Sequence, residues 1–224
     1  MDFRLGGGTE ELRAEVCAFL DQHMTPELEE RIYRTGVSHD DDFTAALARE
    51  GWLAPGWPVE LGGQGRDPIE MVVIHEELRL VDAPTYGIGT TTMVAAVIRE
   101  VGTPEQQQAI IPKALAGEIV IVLGFSEPEA GSDVAAAATK AVRDGDDWVI
   151  NGQKMFTTNA QIGDYVFLLA RTNTEVPKHQ GLTMFLVSMD QPGVEVQAVH
   201  TMSGERTNIT FYNDVRVSDA WRIG

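Results

Sequence analysis

Gly117-Glu118-Ile119-Val120-Ile121-Val122-Leu123 divides the chain into two textures. Before it, apolar residues recur at helical spacing. After it, they alternate or run in short blocks. Gly117 serves as a helix stop, and the aliphatic run that follows reads as a buried strand. The predicted fold class is therefore α+β: an N-terminal all-α domain over residues 1–118, then a small β-barrel or sandwich over 119–224.

Upstream of Gly117, start signals and apolar faces mark the helices. Thr9 is positioned to cap a helix whose Leu12, Val16, Phe19 and Leu20 share one face. Thr25-Pro26 supplies a cap and first turn, with Glu27, Glu29 and Glu30 near the positive end. Phe43, Leu47 and Ala48 mark a short helix ending near Gly51. Ile69–Leu80 predicts a buried helix. Thr103-Pro104-Glu105-Gln106 combines an N-terminal proline with a capping box. Downstream, Asp144-Gly145 and Asn151-Gly152 predict hairpin turns. Strands are expected at Tyr165–Ala170, Leu182–Met189, Val194–Val199 and Ile209–Val217, with no closing element between Val217 and Gly224.

Composition narrows the function classes. The 224 residues carry 34 acidic and 17 basic side chains, a net charge of −17. Such a chain repels phosphate backbones and anionic lipid, so nucleic acid and membrane surfaces are disfavoured partners. Cys17 is the single cysteine, which excludes an internal disulfide and a cysteine-rich zinc site. Met1-Asp2-Phe3-Arg4 lacks a signal-peptide pattern, and no apolar run reaches membrane-spanning length, so the expected location is cytoplasmic. Asn208-Ile209-Thr210 matches a glycosylation triplet that this location leaves unused. The five histidines show no metal-ligand spacing, and His39-Asp40-Asp41-Asp42 reads as a solvated helix start; no metal is expected. Gly6-Gly7-Gly8 reads as a flexible arm. Gly62-Gly63-Gln64-Gly65 is no P-loop, since no Lys-Ser/Thr follows. Gly87-Ile88-Gly89 fails as a dinucleotide fingerprint because position 92 is Thr92.

Chemistry concentrates in Gly124-Phe125-Ser126-Glu127-Pro128-Glu129-Ala130-Gly131-Ser132-Asp133. Here a strand runs into a loop of amides and short polar side chains, suited to a polar planar ligand. Asn151-Gly152-Gln153-Lys154-Met155-Phe156-Thr157-Thr158-Asn159 follows. Read as a strand, it places Phe156 and Thr158 on one face. An aromatic beside a hydroxyl suits a flavin ring; an ordinary β-core aromatic fits the same pattern.

Together these segments resemble the acyl-CoA dehydrogenase family. The resemblance extends through Gly51-Trp52, Pro55, Trp57-Pro58, Glu60, Gly62-Gly63 and Gly65. It continues in Gly102-Thr103-Pro104-Glu105-Gln106 and Pro112, Ala170-Arg171-Thr172, Gly181–Val187 and Phe211–Val217. It implies an FAD enzyme of helical, β-barrel and C-terminal four-helix domains, of which these residues match the first two. Ser126, with the Phe125 backbone, is implied to bond the flavin's pyrimidine edge. Phe156 would stack on the ring where many relatives carry Trp, and Thr158 would sit near flavin N5. Ser132 would contact CoA, and Thr91, within Thr90–Thr92, the acyl cavity. The family's catalytic glutamate belongs to the third domain, so no catalytic base is assigned here; Glu127 and Glu129 are not promoted to it. The implied reaction converts an acyl-CoA thioester to the trans-2-enoyl-CoA and passes electrons to an electron-transfer flavoprotein. The full-length protein is expected as a homo- or hetero-oligomer. Alternatives are a non-catalytic flavin- and CoA-binding partner subunit or inactive fragment, and an acyl-CoA oxidase or flavin monooxygenase of the same fold.

Overall fold

The computed structural model describes residues 6, 8–202 and 204–224. The readings placed on Met1–Arg4 and Gly7 lie outside them. The chain divides into two compact units. One joins the described residues up to Thr92 with Pro112–Glu118; the other joins Met93–Ile111 with Ile119–Gly224.

The first unit holds α1 (Thr9–His23), α2 (Pro26–Thr35), α3 (Asp41–Arg49) and α4 (Pro68–Leu80). It also holds the start of α5 (Tyr86–Val101) and the end of α6 (Pro104–Leu115). Leu12, Val16, Phe19 and Leu20 of α1 meet Phe43 and Leu47 of α3, Trp52, and Val73, Ile74 and Leu78 of α4 in one core. Phe19 lies edge-on to Phe43 and Trp52, with ring centroids 5.7 and 5.3 Å away. Each large side chain buried there stabilises the fold by about 1.5–3 kcal/mol.

The caps follow the local chemistry. The Thr25 hydroxyl accepts from Leu28 N, and Asp40 accepts from Phe43 N. Asp67 and Glu70 form a capping box on α4. Two expectations change. Thr9 is the first helical residue and not the cap; its hydroxyl donates to Gly6 O, and Gly8 occupies the cap at φ 88°. Helix α4 is buried along one stripe only, since Ile69, Val72 and Leu80 are exposed. The apolar block Met71–Ile74 hid the two-sided environment, although Glu70, His75, Glu76 and Arg79 interrupt the helix. Gly117 ends the helical stretch at φ 72°, where a Cβ would come within 2.8 Å of Thr44 Cγ2. No helix among the described residues is long and apolar enough to cross a membrane.

The second unit is built on one eight-stranded sheet. Its strands are β1 (Ile121–Gly124), β2 (Lys140–Asp144), β3 (Asp147–Lys154), β4 (Tyr165–Arg171), β5 (Leu182–Ser188), β6 (Val194–His200), β7 (Arg206–Ser218) and β8 (Arg222–Ile223). The order is β6-β7-β3-β2-β4-β5-β8, and β1 pairs parallel to β4. Strand β4 reads as one apolar run because both of its faces are covered. Val166, Leu168 and Ala170 enter a core with Ile150, Phe185, Tyr212 and Val215. Phe167 enters another with Leu186, Ile223 and the helical residues Val94, Ile98 and Ile110.

The hairpin at Gly145 forms as predicted, with Asp144 opposite Asp147. Asn151-Gly152 makes no turn: it lies within β3, where the register against β7 shifts. The Asn151 side chain donates to Asp214 and accepts from Asp214 N, both at 3.0 Å, and fixes this irregularity. Gly152, at φ 151°, passes so close to Thr139 that a Cβ would sit 2.6 Å from its hydroxyl. Asn-Gly is a turn signal only when strand pairing stops on both sides; here it continues. The chain also closes where no closing element was expected. Strand β8 pairs with β5 through Met184 and Phe185. The capping pair of α6 forms, and Gln106 Nε2 donates further to the carbonyls of Ala220 and Arg222, at 2.7 and 2.9 Å.

Candidate functional site

The loop leaving β1 carries Phe125, Ser126 and Glu127, and all three are tied down by the end of β3. Lys154 Nζ donates to Phe125 O at 3.2 Å and to Glu127 Oε1 at 2.7 Å. Met155 N donates to Ser126 O at 2.8 Å. Consecutive residues on one segment thus grip three consecutive residues on the other. The Glu127 carboxylate also accepts from Ala138 N and Thr139 N, at 2.6 and 2.9 Å. Reciprocal backbone bonds between Glu127 and Ala130 tighten the Pro128-Glu129 turn. Burial pushes the Glu127 carboxyl pKa up, but the bonds from Lys154, Ala138 and Thr139 outweigh it and hold the group below the ordinary glutamate value. Burial likewise lowers the Lys154 ammonium pKa, against the pull of Glu127.

Strand β3 ends at Lys154, so Phe156 and Thr158 are not alternate residues of a strand as the sequence suggested. They sit in a turn in which Thr158 N donates to Phe156 O at 2.9 Å. Phe156 adopts φ 59° and Asn159 φ 64°. For a phenylalanine this conformation costs about 1–2 kcal/mol, and the Phe156 side chain packs little in return, being 62% exposed. The conformation is imposed by Thr157 between them. Thr157 N donates to Asn208 O, and Asn208 Nδ2 donates back to Thr157 O, each at 2.9 Å. The fully buried Asn208 amide also donates to Gln161 and accepts from Arg206. Backbone strain of this kind clusters at ligand-binding sites.

The two loops bring Phe125, Ser126, Phe156 and Thr158 onto segments joined by direct hydrogen bonds. Thr158 is exposed, and its hydroxyl lies 3.2 Å from that of Thr207. Phe125 packs its ring on Phe167. Ser132 is exposed farther along the same loop, beside an Asp133–Lys178 ion pair of 2.5 Å. Thr91 belongs to the first unit; it is buried, and its hydroxyl donates to Gly87 O at 2.7 Å. Its neighbour Thr92, with Trp52, His75, Leu78, Arg79 and Ile88, lines a cavity of about 210 Å³ in that unit. Glu129 is exposed.

A flavin requires a flat apolar contact and hydrogen-bonding groups at one edge. The exposed Phe156 ring offers a flat apolar face, and Ser126 and Thr158, on backbones linked at Met155–Ser126, are of the hydroxyl-bearing type such an edge needs. The sequence reading missed Lys154 and Asn208 as the residues that set this geometry. Their only signals were a motif lysine and a glycosylation-like triplet. Asn208 is fully buried, which removes it as a glycosylation acceptor in the folded chain.

Comparison with known proteins gives a consistent picture. The family described as acyl-CoA dehydrogenase, N-terminal domain, matches residues 8–118, and that described as acyl-CoA dehydrogenase, middle domain, matches 122–216. Acyl-CoA dehydrogenase FadE26 of Mycobacterium tuberculosis is 42% identical, over 96% of this chain and 56% of its own length. The ChsE4-ChsE5 complex from Mycobacterium tuberculosis aligns at TM-score 0.91 and 41% identity, over 100% of this chain and 58% of that one. The Tcur3481-Tcur3483 steroid ACAD aligns at TM-score 0.90 and 37% identity, over 100% of this chain and 59% of that one. The chain thus spans under two thirds of the length of each of these relatives.

Proposed function

The chain belongs to the acyl-CoA dehydrogenase family, and from that premise we propose that it carries the flavin- and thioester-binding part of an enzyme that dehydrogenates an acyl-CoA to the trans-2-enoyl-CoA. The chemistry supplied by bound FAD is acceptance of the β-hydrogen as hydride. This chain's residues bind and orient. Ser126, with the Phe125 backbone, holds the polar edge of the ring system. Phe156 stacks on its face, and Thr158 sets a hydroxyl near the reacting edge. Ser132 contacts the CoA portion, and Thr91 lies toward the acyl group. Glu127 is unsuited to removing the α-proton because Lys154 and two backbone amides already occupy its carboxylate. The base is expected from outside these 224 residues, and the electrons go on to a flavoprotein acceptor.

The observation that carries this reading is Phe156: an exposed aromatic held at φ 59° beside the Ser126 loop. The steroid ACAD among the structural neighbours supports an acyl thioester bearing a steroid as the substrate class. The paired names of two neighbours support a hetero-oligomer, and with it a second reading: a flavin- and CoA-binding subunit whose base comes from a partner chain.

The test is an anaerobic visible spectrum after FAD addition and desalting, followed by titration with linear, branched and steroid-bearing acyl-CoAs. Retained flavin that bleaches with one class names the substrate and shows that a base is present after all. Retained flavin that bleaches only when a partner chain is added favours the partner-subunit reading. A chain that retains no FAD overturns the assignment.

A further inference from the structure

Lysine is among the residues least often fully buried, yet Lys154 is 0% exposed at the side chain. Its cation is not spent on the sheet core. Both of its bonds reach the β1 loop, to the carbonyl of the residue before Ser126 and to the carboxylate of the residue after it. Met155 holds the carbonyl of Ser126 itself. Glu127 in turn reaches the amides of Ala138 and Thr139, and the Thr139 hydroxyl donates to Gln153 O at 3.2 Å. The pair therefore closes a ring of bonds around the one residue, Ser126, whose hydroxyl faces the ligand in the reading above. An ion pair whose purpose was stability alone could be replaced by apolar packing. Beyond the bond between its two members, this one reaches backbone at Phe125, Ala138 and Thr139.

We propose that Lys154 and Glu127 form a positioning pair that fixes where Ser126 and the Phe156 turn present themselves to a flavin, so that flavin affinity and the flavin's electronic environment depend on it. This rests on the flavin reading of the site. Neither residue is catalytic; each acts through the backbone of Phe125, Ser126 and Met155. Arginine at 154 keeps the charge but replaces a compact ammonium with a wide planar fork, which cannot reach the Phe125 carbonyl and the Glu127 carboxylate in the same geometry.

The test compares the full chain with K154R and with the volume-matched double variant K154M/E127Q. Melting and circular dichroism report folding; FAD titration and the flavin absorption band report positioning. The double variant is expected to fold while its FAD dissociation constant rises about tenfold and its band shifts. K154R is expected to fall between it and the parent. A folded double variant with the parent's affinity and band overturns the proposal. If the double variant does not fold, a folded K154R with unaltered affinity and band overturns it equally. Failure of the flavin reading is told apart because the parent itself then retains no FAD. In that case amide exchange of the flavin-free chain decides. K154R should speed exchange at Met155 N about tenfold and leave β7 unchanged; unchanged exchange at Met155 refutes the clamp.

Discussion

The loop that leaves β1 is fastened by a charge, whereas the turn that leaves β3 is fastened by an amide. In the first, Glu127 and Lys154 are buried against each other, and the backbone around Ser126 needs no unusual dihedral angle. In the second, Asn208 bonds both the N–H and the carbonyl of Thr157, and Phe156 before it and Asn159 two residues after it adopt positive φ. Charge gives a strong, direction-tolerant grip whose failure is costly. Amide bonding gives geometric exactness and holds a strained aromatic outward. The two devices meet at the Met155–Ser126 bond, so one site is set by two kinds of interaction that respond differently to mutation and pH.

That contrast can be broken at either end. The largest effect is expected for K154M alone, which leaves the Glu127 carboxylate buried without its cation and should cost about 3–5 kcal/mol in a urea melt. N208A should cost about 2 kcal/mol, since Thr157 O and Gln161 Oε1 lose their donor; flavin content should fall with it. F156G should separate the effects of strain and contact. Glycine accepts positive φ, so stability should stay within about 1 kcal/mol of the parent or rise. Retained FAD should nevertheless drop, because the stacking ring is gone.

The smallest effect, and the one that best separates the two devices, is acid dependence. The Glu127 pKa is depressed in the folded chain, so its stabilising share is present above the unfolded-state value, about 4.3. That share is lost as pH falls through the lower folded-state value. Acid melts of K154M/E127Q should lack this part of the slope, and N208A should retain it.

Signals confined to one turn of chain were legible. Thr25-Pro26 and Thr103 to Gln106 cap helices as read, because donor and acceptor lie within three residues. Signals completed from far away were not. Asn151-Gly152 looks the same in sequence whether it turns or bulges, and Asp214, 63 residues on, makes it bulge. The alternation that placed Phe156 and Thr158 on one face fails because Asn208, 51 residues from Thr157, bends the backbone. Lys154 reads as an ordinary polar strand residue until Glu127, 27 residues earlier, folds over it. The candidate loops were therefore readable as places, while the bonds that shape them were not.

Gln106 carries a consequence for the order in which these elements can be fastened. Its amide caps α6 with one edge and binds the carbonyls of Ala220 and Arg222 with the other, across 114 and 116 residues. During synthesis at roughly 5–20 residues per second, those carbonyls follow Gln106 by roughly 6–23 s. Through that interval the helix start is only half fastened, and Ala220 and Arg222 act as its latch once they emerge.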